Sequence, residues 1–86
     1  MRVLFHAGIQ EQTSGETSFE TGNAHNVREL IDSLGERFGA AFREFLTGDQ
    51  TCFILVNGKG LMMTGGYDTP LQDSDTIEVL PFVTGG

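Results

Sequence analysis

Between Val27 and Leu46 the apolar residues Val27, Leu30, Ile31, Leu34, Phe38, Phe42, Phe45 and Leu46 recur at intervals of one, three or four. That spacing puts them on one face of a helix, with Arg28, Glu29, Asp32, Glu36, Arg37, Arg43 and Glu44 turned mostly outward. Such a stripe has to be covered, and the chain on either side of it alternates with the period of two that marks strands. One helical layer must therefore lie across a sheet assembled from both ends of the chain, an α+β arrangement of two layers around one core.

Local signals predict where these elements begin and end. From Arg2 to about Ile9, Val3, Phe5, Ala7 and Ile9 alternate with Arg2, Leu4, His6 and Gly8, which predicts a first strand. Thr17-Ser18-Phe19-Glu20-Thr21, beyond the polar stretch around Gly15, reads as its hairpin partner. Asn26 is placed to cap the helix, with Glu29 three residues on reaching back as in a capping box. Gly35 and Gly39 each cost about 1 kcal/mol relative to Ala inside a helix, so the stripe should divide near Gly39. The continuous apolar run Thr51-Cys52-Phe53-Ile54-Leu55-Val56 predicts a strand covered on both faces. Asn57-Gly58 then predicts a tight turn and Leu61-Met62-Met63 a short returning strand. Gly65-Gly66 breaks the chain, and Asp73-Ser74-Asp75 turns it into a last alternating strand, Thr76-Ile77-Glu78-Val79-Leu80. The expected organisation is a single domain over residues 1–80 and a flexible tail over 81–86.

Size and charge narrow the functional classes. A chain of 86 residues has room for one modest core and not for a cofactor domain beside a substrate domain. Twelve acidic residues against five basic ones give a net charge of −7, which repels phosphate backbones and argues against a nucleic-acid partner. No run approaches the ~20 apolar residues of a membrane span, so no membrane partner is expected. The lone Cys52 has no partner for an internal disulfide and the N-terminus lacks an apolar leader, so the expected location is the reducing cytoplasm.

The chain finishes Pro81-Phe82-Val83-Thr84-Gly85-Gly86 directly after the last strand. Six extended residues reach up to about 20 Å, and two residues without β-carbons make the end slender enough for a narrow tunnel in another protein. A free carboxylate must be activated before it can transfer, most readily as an acyl adenylate formed from ATP. The Gly86 carbonyl can then accept sulfur to become a thiocarboxylate, or an amine to become an amide. Phe82 and Val83 are apolar where a solvated tail would be polar, which marks a docking surface beside the reactive end.

Taken along the whole chain, Val3-Leu4-Phe5, Val27-Arg28-Glu29-Leu30, Val56-Asn57-Gly58, Asp68-Thr69-Pro70-Leu71, Asp73-Ser74-Asp75-Thr76-Ile77 and the diglycine ending fall in the order of a known family. The sequence resembles the ThiS/MoaD group of sulfur carriers, which includes the small subunit of molybdopterin synthase. The resemblance implies a β-grasp (ubiquitin-like) fold, a mixed sheet with a helix packed across one face. It implies a carrier and not an enzyme: Gly86, next to Gly85, is the reactive end, and no catalytic side chain, resident cofactor or metal is called for. ATP would be used by an adenylating ubiquitin-activating-type (MoeB/ThiF-like) enzyme. A sulfurtransferase would then make the thiocarboxylate. Pro81, Phe82, Val83 and Thr84 would be gripped by an acceptor enzyme such as the molybdopterin synthase large subunit, and the sulfur would pass to precursor Z. Many members of that branch end Pro-Pro-Val-x-Gly-Gly, whereas Phe82 stands here in place of the second proline. The ending and the Gly65-Gly66 turn also resemble carriers for cysteine or homocysteine synthesis and archaeal modifiers conjugated to lysines; thiamine-pathway carriers are usually shorter.

The remaining reactive residue types read as structural. Cys52 lies in the most apolar run and reads as a structural thiol; His6 and His25 have no partners at metal-ligand spacing. Lys59 reads as an exposed solubilising residue or an acceptor of a conjugate, and Met62-Met63 as strand packing or a soft contact surface. Three readings follow: a sulfur carrier, a protein modifier with the same tail, and a passive interaction domain using its acidic surface or the Phe82-Val83 patch.

Overall fold

The computed structural model describes residues 1–22, 24–48 and 51–82. Strands β1 (Arg2–Phe5) and β2 (Ser18–Glu20) are followed by helices α1 (Val27–Phe38) and α2 (Ala40–Thr47), strands β3 (Cys52–Val56) and β4 (Lys59–Gly60), the single-turn helix α3 (Leu61–Thr64), a 3-10 turn (Gly66–Asp68) and strand β5 (Thr76–Pro81). The strands form one mixed sheet in the order β2-β1-β5-β3-β4. The first and last strands of the chain lie parallel at its centre, with Val3 beside Ile77 and Phe5 beside Val79. This is the β-grasp arrangement expected for the chain.

Because side chains alternate across a strand, that register sends Val3, Phe5, Ile77 and Val79 to one face, where all four are buried. The helices cover this face with Val27, Leu30, Ile31, Leu34, Phe42 and Leu46. Phe42 meets Phe5 and Phe38 edge-on at ring separations of 5.9 and 5.6 Å, and Phe5 meets Phe38 at 5.4 Å. Edge-to-face rings gain about 0.5–1.5 kcal/mol beyond their buried area, so this corner is well braced.

Asn26 caps α1 as its sequence predicts, its side-chain oxygen accepting from the Glu29 amide at 2.8 Å. The Glu29 carboxylate reaches back one residue past the cap, accepting from the His25 amide at 3.1 Å. The helical stripe divides at Gly39, whose φ of 109° lies in the left-handed region that a β-carbon disfavours.

Four expectations are corrected. β1 stops at Phe5 instead of near Ile9, because Gly8, at φ 94°, turns the chain. Ile9 still enters the core, and the buried Thr13 hydroxyl donates to Glu16 O at 2.8 Å, holding the 7–15 turn region together. The returning strand is Lys59-Gly60, not Leu61-Met62-Met63, which instead form a helical turn. Leu and Met are strong helix formers, and Met62 and Met63 have no neighbouring strand to bury them, with 100% and 80% of their surfaces exposed. β3 is covered on one face only: Ile54 and Val56 are buried, whereas Phe53 is half exposed. Finally, β5 continues through Pro81, which pairs with Cys52 of β3, and the Phe82 amide donates to the O atom of Thr51, the residue before β3, at 3.3 Å, so the first two residues of the expected tail are held along this edge.

Candidate functional site

The face of the sheet away from the helices carries the residues left over by the alternation. Phe53 lies opposite Leu80, and Leu55 opposite Glu78, which on its other side lies beside Leu4. Phe82 follows Leu80 at the spacing of two that returns a side chain to the same face, and its ring meets Phe53 at 5.0 Å, tilted by 31°. Phe53, Leu55, Leu80, Leu4 and Phe82 thus form an apolar surface running to the point where the tail leaves the sheet. The polar group within it is partnered locally, since His6 Nε2 lies 3.0 Å from Glu78 Oε2.

The predicted site residues separate across the sheet. Pro81 points to the helix side, where a β-carbon built on Gly8 would come within 3.1 Å of its ring; glycine at position 8 allows this close approach. Phe82 lies on the open face. Val83, Thr84, Gly85 and Gly86 lie outside the described residues. The sequence reading missed Phe53, because a continuous apolar run hides which of its members face out. The signal available was its pairing partner: once β3 lies antiparallel to β5, Phe53 falls on the same face as Phe82.

Beside the exposed end of β3 lies a shallow hollow of about 280 Å³ lined by Leu46, Cys52, Ile54, Leu61, Met62 and Tyr67, among others. Cys52 is half-buried, its sulfur 3.9 Å from Phe45 O, and burial pushes the thiol above its ordinary range, outweighing the hydrogen bond with Thr51 that lowers it. A thiol so shifted is poorly nucleophilic, which fits a packing role. Among the described residues no cluster of His, Cys, Asp or Glu could hold a metal ion. No helix of the described residues is long and apolar enough to cross a membrane.

The ThiS family model matches residues 3–86. The chain belongs to the ThiS family. Family members are small ubiquitin-like sulfur carriers, and the matched range includes the last two glycines. Among solved structures, the Amycolatopsis orientalis BexX/CysO complex matches at 26% identity and a TM-score of 0.79, covering 99% of this chain and 98% of the other. Small archaeal modifier protein 1 from Methanosarcina acetivorans matches at 27% identity and a TM-score of 0.78, covering 99% and 94%. The complex of subunits 1 and 2 of molybdopterin-converting factor from Helicobacter pylori 26695 matches at 30% identity and a TM-score of 0.67, covering 99% and 96%. Two of these three were solved as complexes with a protein partner. No curated protein matches this sequence at a significant level.

Proposed function

We propose that the chain is a sulfur carrier whose Gly86 carboxylate is adenylated and converted to a thiocarboxylate. The observation that carries this reading is the ThiS-family match running through residue 86, so that the likeness includes Gly85-Gly86. The carboxylate oxygen attacks the α-phosphorus of ATP and releases pyrophosphate. The terminal sulfur of a sulfurtransferase persulfide then attacks the Gly86 carbonyl and AMP leaves, and a second thiol cleaves the resulting acyl disulfide, releasing the thiocarboxylate and becoming part of a disulfide. The open sheet face, from Leu4 to Phe82, docks on the adenylating enzyme and presents the tail to its active site. The acceptor is a biosynthetic enzyme of the molybdopterin synthase large-subunit type, with precursor Z receiving the sulfur, in keeping with the likeness to the Helicobacter pylori converting-factor subunit.

Intact-mass measurement of the protein from its own cells, beside a deletion of Gly85-Gly86, tests the carrier role. A species heavier by about 16 Da, the exchange of oxygen for sulfur at the activated acyl group, is expected only in the full chain. Finding only the carboxylate, even with ATP and the adenylating enzyme of the same cells, would sink it. A second reading, conjugation of Gly86 to lysines of other proteins, is favoured by the likeness to the Methanosarcina modifier. Gly86 recovered in isopeptide linkage would identify it.

A further inference from the structure

β3 pairs with β5 along its whole length, from Cys52 beside Pro81 to Val56 beside Ile77. On its other side β4 reaches only Leu55 and Val56, because the chain turns helical at Leu61. Backbone groups along a strand point to alternate sides. Thr51 O accepts from the Phe82 amide and the Asn57 amide donates to Thr76 O, so the groups of Thr51, Phe53, Leu55 and Asn57 turn toward β5. Those of Cys52, Ile54 and Val56 turn away from it. Val56 meets Lys59, but Cys52 and Ile54 have no strand opposite them among the described residues. Leu61 O, which a longer β4 would offer to the Ile54 amide, accepts instead from the Gly65 amide at 3.1 Å and the Thr64 hydroxyl at 3.3 Å.

The hollow of about 280 Å³ lies against this open stretch. Cys52, Phe53 and Ile54 all line it, although Phe53 faces the opposite side of the sheet from its two neighbours. A hollow bounded by three consecutive strand residues lies along the strand's edge and not over one of its faces. Leu46, Leu61, Met62 and Tyr67 also line it, and none of the lining residues carries a charge at neutral pH.

We propose that this edge of β3 takes up an extended segment of a partner protein as an additional strand, with apolar residues in its centre and lysine or arginine at its ends. Activation of Gly86 has no part in it. A strand laid about 4.8 Å from β3 places its side chains on the same faces as the residues opposite. Those opposite Cys52 and Ile54 enter the hollow, and the one opposite Phe53 lies beside that half-exposed ring. The backbone of the added strand takes up the Ile54 amide and the outward groups of Cys52. The occupant is another protein because a second copy carries the same net charge of −7 and is repelled, whereas that charge draws a segment with basic ends. The centre of the segment is apolar because a charge placed among the lining residues would find no counter-charge.

The test titrates the isotope-labelled full-length chain with an acetylated peptide of the order lysine-lysine-leucine-valine-leucine-lysine-lysine, read by amide NMR and hydrogen exchange. The expected result is saturable binding with shifts centred on Cys52, Phe53 and Ile54, and exchange of the Ile54 amide slowed at least fivefold at saturation. N-methylation of the three central amides of the peptide removes its donors and keeps its side chains, and should weaken binding at least tenfold. So should glutamate in place of the lysines. Met62→Lys changes a side chain that is fully exposed, so the fold is unaffected, and should weaken binding at least fivefold. No saturable binding up to about 5 mM overturns the proposal. So does undiminished binding of the N-methylated peptide, of the glutamate peptide or by Met62→Lys, and so do shifts confined to the open face around Leu4 and Leu80. Dimerisation of the chain alone through Cys52, Phe53 and Ile54 likewise overturns it, because a second copy would then be the occupant.

Discussion

Replacing Phe53 with Ala separates the docking face from the core. Phe53 is 49% exposed, so truncation forfeits about half of the ~1.5–3 kcal/mol that full burial of such a side chain gives, plus part of its contact with Phe82. The expected loss of monomer stability is about 1–2 kcal/mol. Ile77, on the opposite face of the neighbouring strand, is fully buried, and Ile77→Ala should cost about 2–5 kcal/mol. The order reverses for partner binding. An aromatic anchor at the centre of an interface contributes 2 kcal/mol or more, so Phe53→Ala should raise the half-saturating carrier concentration about 30-fold. Ile77→Ala should leave that concentration near wild type wherever the variant is folded. The assay is ATP–pyrophosphate exchange by the adenylating enzyme of the same cells, titrated with each carrier, beside urea unfolding of each. An unchanged half-saturating concentration for Phe53→Ala, or a stability loss exceeding that of Ile77→Ala, would refute the assignment of the open face to docking.

Gly86→Ala adds a β-carbon next to the acyl centre and should cut thiocarboxylate formation at least tenfold with an unchanged urea midpoint; mass spectrometry and denaturation read the two halves, and normal conversion would remove the case for a narrow tunnel. Phe42→Ala, at the centre of the ring cluster, should cost about 3–5 kcal/mol in urea unfolding. A loss under 1 kcal/mol would mean that the corner is not closely packed. Asp75 is held below its ordinary range first by the Asn57 side-chain amide at 3.0 Å and then by the Gln72 amide. Its stabilisation is therefore fully present above the ordinary aspartate value of about 4 and is lost as pH falls through the lowered native value. Asp75→Asn should flatten that acid limb in pH-dependent unfolding, and an unchanged slope would show that the turn contributes nothing to acid stability.

Much of the fold was legible because it rests on local patterning. The helical stripe has one period and the flanking segments another, and Asn26 and Gly39 punctuate them with groups whose hydrogen bonding and backbone freedom are intrinsic. The misread segments are those where local cues compete. Ala7 and Ile9 continue a strand alternation, yet Gly8 permits a turn and the core still claims Ile9. Leu61-Met62-Met63 follows a hairpin-turn signal that suggests a strand, yet Leu and Met are strong helix formers, and the absence of a pairing partner among the described residues leaves the helical turn.

The candidate site divides in the same way. The sequence by itself determined that an apolar Phe82 precedes a diglycine end and that the ThiS-family motifs stand in order, because these are facts of covalent identity and spacing. Only the tertiary structure decided that Phe53 joins Phe82 and that Pro81 turns inward to Gly8. These depend on register between strands distant in sequence. A shift of one residue would exchange the two faces of a strand, and that choice belongs to the packing of the whole sheet against the helices.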